Sequence, residues 1–131
     1  MKVLIGDIGN TITKICIIEI GTYKIEKIIY FNSIKIYSKI FLRNFFKKLL
    51  NKEITCKVAL FSSVVPKYQS ILEKFLKKKH KIDLREIKEK NIKKIIRINL
   101  KNRNQVGSDR IANAVGTYKR YKCNCIVLDF G

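Results

Sequence analysis

The sequence predicts an α/β domain with the element order β-β-β-α-β-α-β-α and one further strand at its end. Two observations carry this prediction. Near the amino terminus, three segments rich in isoleucine and other β-branched residues are separated by short turn segments, which is typical of an antiparallel meander. After them, segments with apolar residues at helical spacing alternate with strand-like segments, as in α/β domains.

The first three strands are expected at residues 2–8, 12–19 and 23–31. Gly9-Asn10-Thr11 separates the first two strands and is a strong signal for a tight hairpin turn. Gly21-Thr22 then turns the chain into the third strand. Both corners of the meander are therefore supported by residues that favour turns.

Two helices are predicted in the middle of the chain. Over residues 41–50, phenylalanines and leucines repeat at i, i+4 spacing and form one apolar stripe. Pro66 suits the first turn of the second helix, with Ser62 or Ser63 available as its cap. The apolar residues of 68–76 then follow the helical template position by position.

The remaining segments complete the order. Residues 54–62 have strand character, and residues 81–100 are ambiguous, with 95–100 the better strand candidate. A last helix is expected over 104–121, and an apolar strand over 125–130. Because nothing follows to cover that strand, we expect a first domain at residues 1–123, the start of a second domain at 124–131, and an amino-terminal piece of a longer protein.

The charge balance favours no particular partner. The 131 residues carry 29 Lys and Arg against 10 Asp and Glu, a net charge of +19. Lysine and isoleucine are both abundant and share AT-rich codons, so genomic composition explains the excess more simply than a polyanion site does. Arginine, which specific nucleic-acid sites use for bidentate contacts, is scarce, and nucleic acid is therefore a disfavoured partner.

The compartment is expected to be the cytoplasm. Lysines interrupt every apolar run, so no membrane helix is predicted, and the amino terminus lacks the apolar region of a signal peptide. Four cysteines are ordinary usage for a reduced compartment, and Cys123-Asn124-Cys125 is too tight for a zinc pair. His80 lies in the lysine run 77–81 and is expected to be a solvated surface residue.

The tip of the first hairpin is the first candidate site. Asp7 ends a strand, Gly9 lets a backbone approach phosphate oxygens, and Thr11 and Lys14 add a hydroxyl and a cation. This set suits a polyphosphate chelated to Mg²⁺, with the Asp7 carboxylate holding the metal or its waters. A plain hairpin turn uses the same residue types, and the spacing alone leaves both readings open.

The start of the last helix is the second candidate site. Ser108 or Asp109 could simply cap the helix, and Asp109 also complements the helix dipole. Arg110 opposes that dipole, and its guanidinium suits a ligand carboxylate held beside a carboxylate base. Asp129 places a further carboxylate at the end of the last strand.

Four motifs in this order resemble the type III pantothenate kinases, which belong to the sugar kinase and actin-like ATPase superfamily with ribonuclease H-like domains. The resemblance covers the whole chain. The matching segments are DIGNT (7–11) followed by Lys14, SVVP (63–66), VGSDRIANAVG (106–116) and LDFG (128–131). It implies a ribonuclease H-like domain and ATP-dependent phosphorylation of pantothenate to 4′-phosphopantothenate, the first step of coenzyme A synthesis.

The resemblance also implies roles for single residues. Asp109 would be the base on the pantothenate hydroxyl, and Asp129 would serve a monovalent cation, K⁺ or NH₄⁺. Pantothenate would be bound by Gly107, Ser108, Asp109 and Arg110, with Leu100 at a further substrate position. The phosphates of ATP, with Mg²⁺, would be bound by the hairpin residues Asp7, Ile8, Gly9, Asn10, Thr11, Ile12, Thr13 and Lys14.

The chain departs from the family pattern at two positions. Leu100 stands where the family commonly has a tyrosine lining the pantothenate pocket, and Arg103 stands where it commonly has a proline. Family members resemble obligate homodimers with active sites between two domains, so this chain is expected to be inactive alone. The alternatives are a non-catalytic member that binds nucleic acid or a partner through its basic surface, and a sugar kinase of the same superfamily.

Overall fold

The computed structural model describes residues 1–50, 56–89 and 96–128. The chain divides into two compact units, Met1–Glu86 and Ile87–Gly131. Within these described residues, the first unit contains the sheet and two α-helices, and the second contains one α-helix. No helix in the described parts of the chain is long and apolar enough to cross a membrane.

A five-stranded sheet forms the first unit, in the order β3-β2-β1-β4-β5. Strand β1 pairs antiparallel with β2, and β2 pairs antiparallel with β3, whereas β4 is parallel to β1 and β5 is parallel to β4. The carboxyl ends of β1 and β4 therefore meet at one edge of the sheet. The strands are β1 Lys2–Ile8, β2 Ile12–Glu19, β3 Ile25–Asn32, β4 Val58–Ser63 and β5 Asp83–Glu86.

Two helices share one apolar core with the sheet. The 3-10 segment Ser33–Tyr37 leads from β3 to α1 (Lys39–Leu49), and α2 (Pro66–His80) connects β4 to β5. Alternate residues of the strands and one stripe of each helix are buried together, because strands expose every second side chain to one face. The largest fully buried side chains are Phe46, Phe61, Leu4, Ile8, Ile15, Ile17, Ile36, Leu42, Leu49, Leu72, Leu76 and Ile82.

The second unit contains helix α3, Ser108–Tyr121, preceded by the 3-10 turn Arg103–Gln105. Gly107 is the residue at the helix start, with φ −62° and ψ 149°. Ile111 is buried, and Ile111 N–H donates to the Gly107 carbonyl at 3.2 Å. Lys122 ends the helix in the left-handed conformation, with φ 52°.

The α/β class is confirmed, and the mixed sheet is consistent with an actin-like ATPase fold. The strand expected at 95–100 is wrong over its described residues. The described residues 96–100 form no strand, and Asp83–Glu86 takes that place beside β4. Only Leu84 of that strand is buried, so its sequence has too few apolar residues to be recognised without its partner.

The last predicted strand is also wrong over its described part. Residues 125–128 are exposed and form no strand, and 129–131 lie outside the described residues. Residues 54 and 55 of the predicted fourth strand also lie outside them. The division into domains at 1–123 and 124–131 stays a prediction.

Two smaller expectations are corrected. Neither Ser62 nor Ser63 caps α2, because the capping position before Pro66 is Val65, whose side chain makes no capping hydrogen bond. His80 is half-buried rather than fully solvated: its ring packs against the rings of Phe46 and Phe75, with centroids 5.9 and 5.7 Å away. This burial lowers the pKa of His80.

Candidate functional site

The hairpin tip is a tight turn between β1 and β2. Gly9 N–H donates to the Ile12 carbonyl at 3.1 Å and closes the turn. A Cβ built on Gly9 would lie 2.8 Å from that same carbonyl oxygen, so a larger residue would force the turn open. The glycine is therefore required by the geometry of the turn itself.

Ser33, the first residue of the 3-10 segment that follows β3, holds this turn. Ser33 Oγ–H donates to the Gly9 carbonyl at 2.8 Å, and Ser33 N–H donates to the Thr11 carbonyl at 2.8 Å. Because the Ser33 proton is already used, the Thr13 hydroxyl must be the donor in the 2.8 Å contact between the two side chains. Three hydrogen bonds thus converge on Ser33, which is itself buried.

Asp7 stands in a row of polar residues that crosses three strands. In the antiparallel pair Asp7 lies opposite Lys14, and in the parallel pair it lies opposite Ser62 of β4. Residues in register on neighbouring strands project from the same face of a sheet. A carboxylate, a cation and a hydroxyl therefore share one face at the carboxyl ends of β1 and β4.

The predicted hairpin residues differ in what they can offer a ligand. Asn10, Thr11, Ile12 and Lys14 are exposed, and Asp7 and Gly9 are half-buried. The side chains of Ile8 and Thr13 are fully buried, so a ligand could meet only the backbone there. The Thr13 hydroxyl supports the turn through Ser33.

The start of α3 brings Gly107, Asp109 and Arg110 together. Asp109 is half-buried, Arg110 is exposed, and Ser108 is buried. A Cβ built on Gly107 would collide with Oδ1 of Asp109, because the carboxylate folds back over the helix start. The lack of a side chain at Gly107 leaves room for this orientation, and no side chain caps the helix.

The other predicted positions are less informative. Leu100 is 59% exposed, next to the 3-10 turn, and Asp129 lies outside the described residues. Within the described ranges, no three His, Cys, Asp or Glu side chains are grouped to hold a metal ion. All four cysteines are free, and burial raises the pKa of both Cys16 and Cys56.

Sequence reasoning missed two residues of the hairpin site. Ser33 and Ser62 reach it from positions 24 and 55 residues beyond Gly9 and Asp7. No local pattern marks them, because their roles arise from strand register. From the sequence alone, Ser62 is a candidate solely for a helix cap.

Fold and site together define an α/β protein with a candidate phosphate site in a glycine turn and a candidate acid–base site at a helix start. Comparison with known families is more specific. The family described as "Type III pantothenate kinase" matches residues 3–131, so the chain belongs to that family.

Individual relatives agree with this assignment. A type III pantothenate kinase of Pelagibacter ubique is 40% identical over 129 residues, which are 98% of this chain and 50% of the relative. One of Thermosipho melanesiensis is 34% identical over 137 residues, covering 100% of this chain and 51% of the relative. The chain thus spans about half the length of these curated relatives.

A Listeria monocytogenes protein proposed to be an N-acetylmannosamine kinase superposes with a TM-score of 0.46 at 14% identity, covering 66% of this chain and 34% of that one. A likeness at this level carries no argument about function.

Proposed function

We propose that the protein to which these residues belong transfers the γ-phosphoryl group of ATP to pantothenate, giving 4′-phosphopantothenate for coenzyme A synthesis. The observation that carries the proposal is the family match over residues 3–131, together with a glycine turn beside Asp7. Phosphoryl transfer depends mainly on positioning and on neutralising charge, which such a turn can supply.

In this proposal the hairpin binds the phosphates of ATP. Lys14 and the backbone N–H groups near Gly9 would face phosphate oxygens, and Asp7 would hold Mg²⁺ or its waters. The site fits a hydrated metal, because Ser62, the register partner of Asp7, has a buried hydroxyl oxygen with no hydrogen-bond partner in the described part of the chain. When bound, Mg²⁺ would neutralise charge on the transferred phosphoryl group.

The start of α3 would bind pantothenate. The guanidinium of Arg110 would pair with the substrate carboxylate, and the Asp109 carboxylate would accept the proton of the reacting hydroxyl. Gly107 contributes by leaving space for that carboxylate, and Ser108 and Leu100 are further substrate positions. Leu100 offers no hydroxyl there, so it would contribute an apolar contact.

Three further features belong to the same proposal. Asp129 would serve a monovalent cation, K⁺ or NH₄⁺, the complete protein would be a homodimer, and the protein would act in the cytoplasm. Each follows from the family rather than from the described residues.

The test is a kinase assay on the protein purified from its source, with pantothenate, ATP, Mg²⁺ and K⁺. Asp109→Asn should lower the rate by about 100-fold or more, because it removes the base. Asp83→Asn is the matched control, since Asp83 pairs with Arg85 at the sheet edge at 3.1 Å. Normal turnover by Asp109→Asn would show that Asp109 is not the base. Phosphorylation of sugars but not of pantothenate would show that the substrate is a sugar.

A second candidate is binding of a polyanion without catalysis, and one surface favours it. A cavity of about 380 Å³ between α1 and α2 is lined by apolar residues and five cations. The two helices carry a single acidic residue, Glu73. The lining residues are Lys39, Leu42, Arg43, Ile71, Lys74, Phe75, Lys78 and Lys79.

This candidate is tested with a fluorescent single-stranded oligonucleotide at several salt concentrations. Tight binding with a steep salt dependence, lost in Lys74→Glu/Lys78→Glu but kept in Lys24→Glu/Lys27→Glu, which makes the same charge change at and beside β3, would favour it. Equal binding by both variants would assign the affinity to net charge alone.

A further inference from the structure

Ser62 has a buried hydroxyl to which no described residue forms a hydrogen bond. The residue is 5% exposed, near the end of β4, and its Oγ has no hydrogen-bond partner among the residues that the structure describes. A buried hydroxyl without a partner is costly, since it has lost its water and gained nothing in exchange. Such a group needs an explanation, and a ligand that completes its hydrogen bonding is one.

The position of Ser62 indicates which ligand this is. Ser62 lies in register with Asp7 on the adjacent parallel strand, so both side chains project from one face at the carboxyl end of the sheet. Lys14 lies on the other side of Asp7 in the same row. The unused hydroxyl is therefore next to the carboxylate expected to hold the metal.

Ser63 shows that the lack of a partner is specific to Ser62. Ser63 Oγ accepts from Val65 N–H at 3.2 Å and donates to the Val65 carbonyl at 3.1 Å, so its hydroxyl is fully occupied in the turn before α2. The two serines are neighbours in sequence and lie on opposite faces of the strand. Among the described residues, the Ser63 hydroxyl has hydrogen-bond partners and the Ser62 hydroxyl has none.

We propose that Ser62 is a positioning residue of the nucleotide site, whose hydroxyl donates a hydrogen bond to the Asp7 carboxylate or to a metal-bound water when Mg²⁺ and ATP bind. This inference rests on the proposed function. It adds a residue from β4 to a site otherwise built from the hairpin, and it gives the unpartnered hydroxyl its missing acceptor. The hydrogen bond would orient Asp7 toward the metal, and it would contribute nothing to the binding of ATP in the absence of metal.

The experiment uses the complete protein and compares wild type, Ser62→Ala and Ser63→Ala by calorimetric titration with ATP, in Mg²⁺ and in EDTA, and by thermal unfolding without ligand. Ser62→Ala should weaken binding of Mg²⁺-ATP by about tenfold, as expected for a lost hydrogen bond to a charged group, and leave binding in EDTA unchanged. Its unfolding midpoint without ligand should stay equal or rise by about 2–5 °C, because an unsatisfied hydroxyl is removed.

The matched variants behave differently in this proposal. Ser63→Ala should unfold at a lower temperature and bind Mg²⁺-ATP as wild type does. Ser62→Thr retains a hydroxyl and should bind Mg²⁺-ATP within about threefold of wild type.

Each remaining outcome counts against the inference. If wild type binds Mg²⁺-ATP and Ser62→Ala binds it equally well, Ser62 has no role at the site and the proposed kinase function stands. If Ser62→Ala weakens binding equally in EDTA, or loses stability without ligand, its role is general packing. If wild type binds no Mg²⁺-ATP, the phosphate site and this inference fail together.

Discussion

Replacing Gly6 with alanine tests how closely β1 packs against β4. Gly6 is buried and is the register partner of Phe61. A Cβ built on Gly6 would lie 2.5, 2.6 and 2.7 Å from three carbons of the Phe61 ring. Ordinary contacts begin near 3.4 Å, so the ring or the strand would have to move by about 0.9 Å.

The ring has little freedom to move, because Phe61 is fully buried. Overpacking of this kind costs about 1–3 kcal/mol, which lowers the unfolding midpoint by roughly 4–12 °C for a chain of this size. Thermal and urea unfolding followed by circular dichroism would measure the cost. A shift of β1 would also displace Asp7, the next residue, so Mg²⁺-ATP binding should weaken as well.

Two further variants decide whether the collision with the Phe61 ring causes the loss of stability. In Gly6→Ala/Phe61→Leu the smaller side chain relieves the collision, and the double-mutant cycle should give a favourable coupling of at least about 1 kcal/mol. Gly116→Ala on α3 is the control: an added Cβ there meets nothing within 4 Å, so stability should rise by about 0.5–1 kcal/mol. A wild-type midpoint for Gly6→Ala, or zero coupling, would refute the reasoning.

Three other predictions concern single side chains. Ser33→Ala leaves the buried Thr13 hydroxyl without its acceptor and should destabilise the protein by about 1–3 kcal/mol, and Thr13→Val in the same chain should recover part of this in urea unfolding. Because burial lowers the pKa of His80, the unfolded chain takes up this proton first as the pH falls below about 6.5. Stability is therefore lost as the pH falls through that range. A His80→Leu variant whose free energy of unfolding changes with pH at the same slope as wild type would contradict this. In native protein a thiol reagent should modify exposed Cys123 quickly and buried Cys56 slowly, and equal rates would show that the core opens readily.

The sequence predicted elements whose signals are local. Gly9-Asn10-Thr11 favours a hairpin by its own conformational preferences, and Pro66 starts a helix wherever the rest of the pattern permits. The strand Asp83–Glu86 could not be predicted this way, because three of its four side chains are polar or charged. Its hydrogen bonds come from β4, which also sets its register.

The same reasoning applies to the candidate site. Asp7 and Asp109 were recognisable, because a carboxylate beside a turn glycine or a helix start is a local pattern. The supporting hydroxyls of Ser33 and Ser62 were not recognisable, since each depends on a pairing between distant strands. Burial of His80 likewise follows from phenylalanines on α1 and α2 rather than from its lysine neighbours.

The three hydrogen bonds at Ser33 have a consequence for the entropy of ligand binding. They tie the Gly9 and Thr11 carbonyls and the Thr13 side chain to the end of β3, so the turn is already ordered before any phosphate arrives. A preorganised loop loses little conformational entropy when it binds, so more of the contact energy contributes to affinity. The Ser33 amide should exchange slowly with solvent deuterium in the free protein and change little when nucleotide is added.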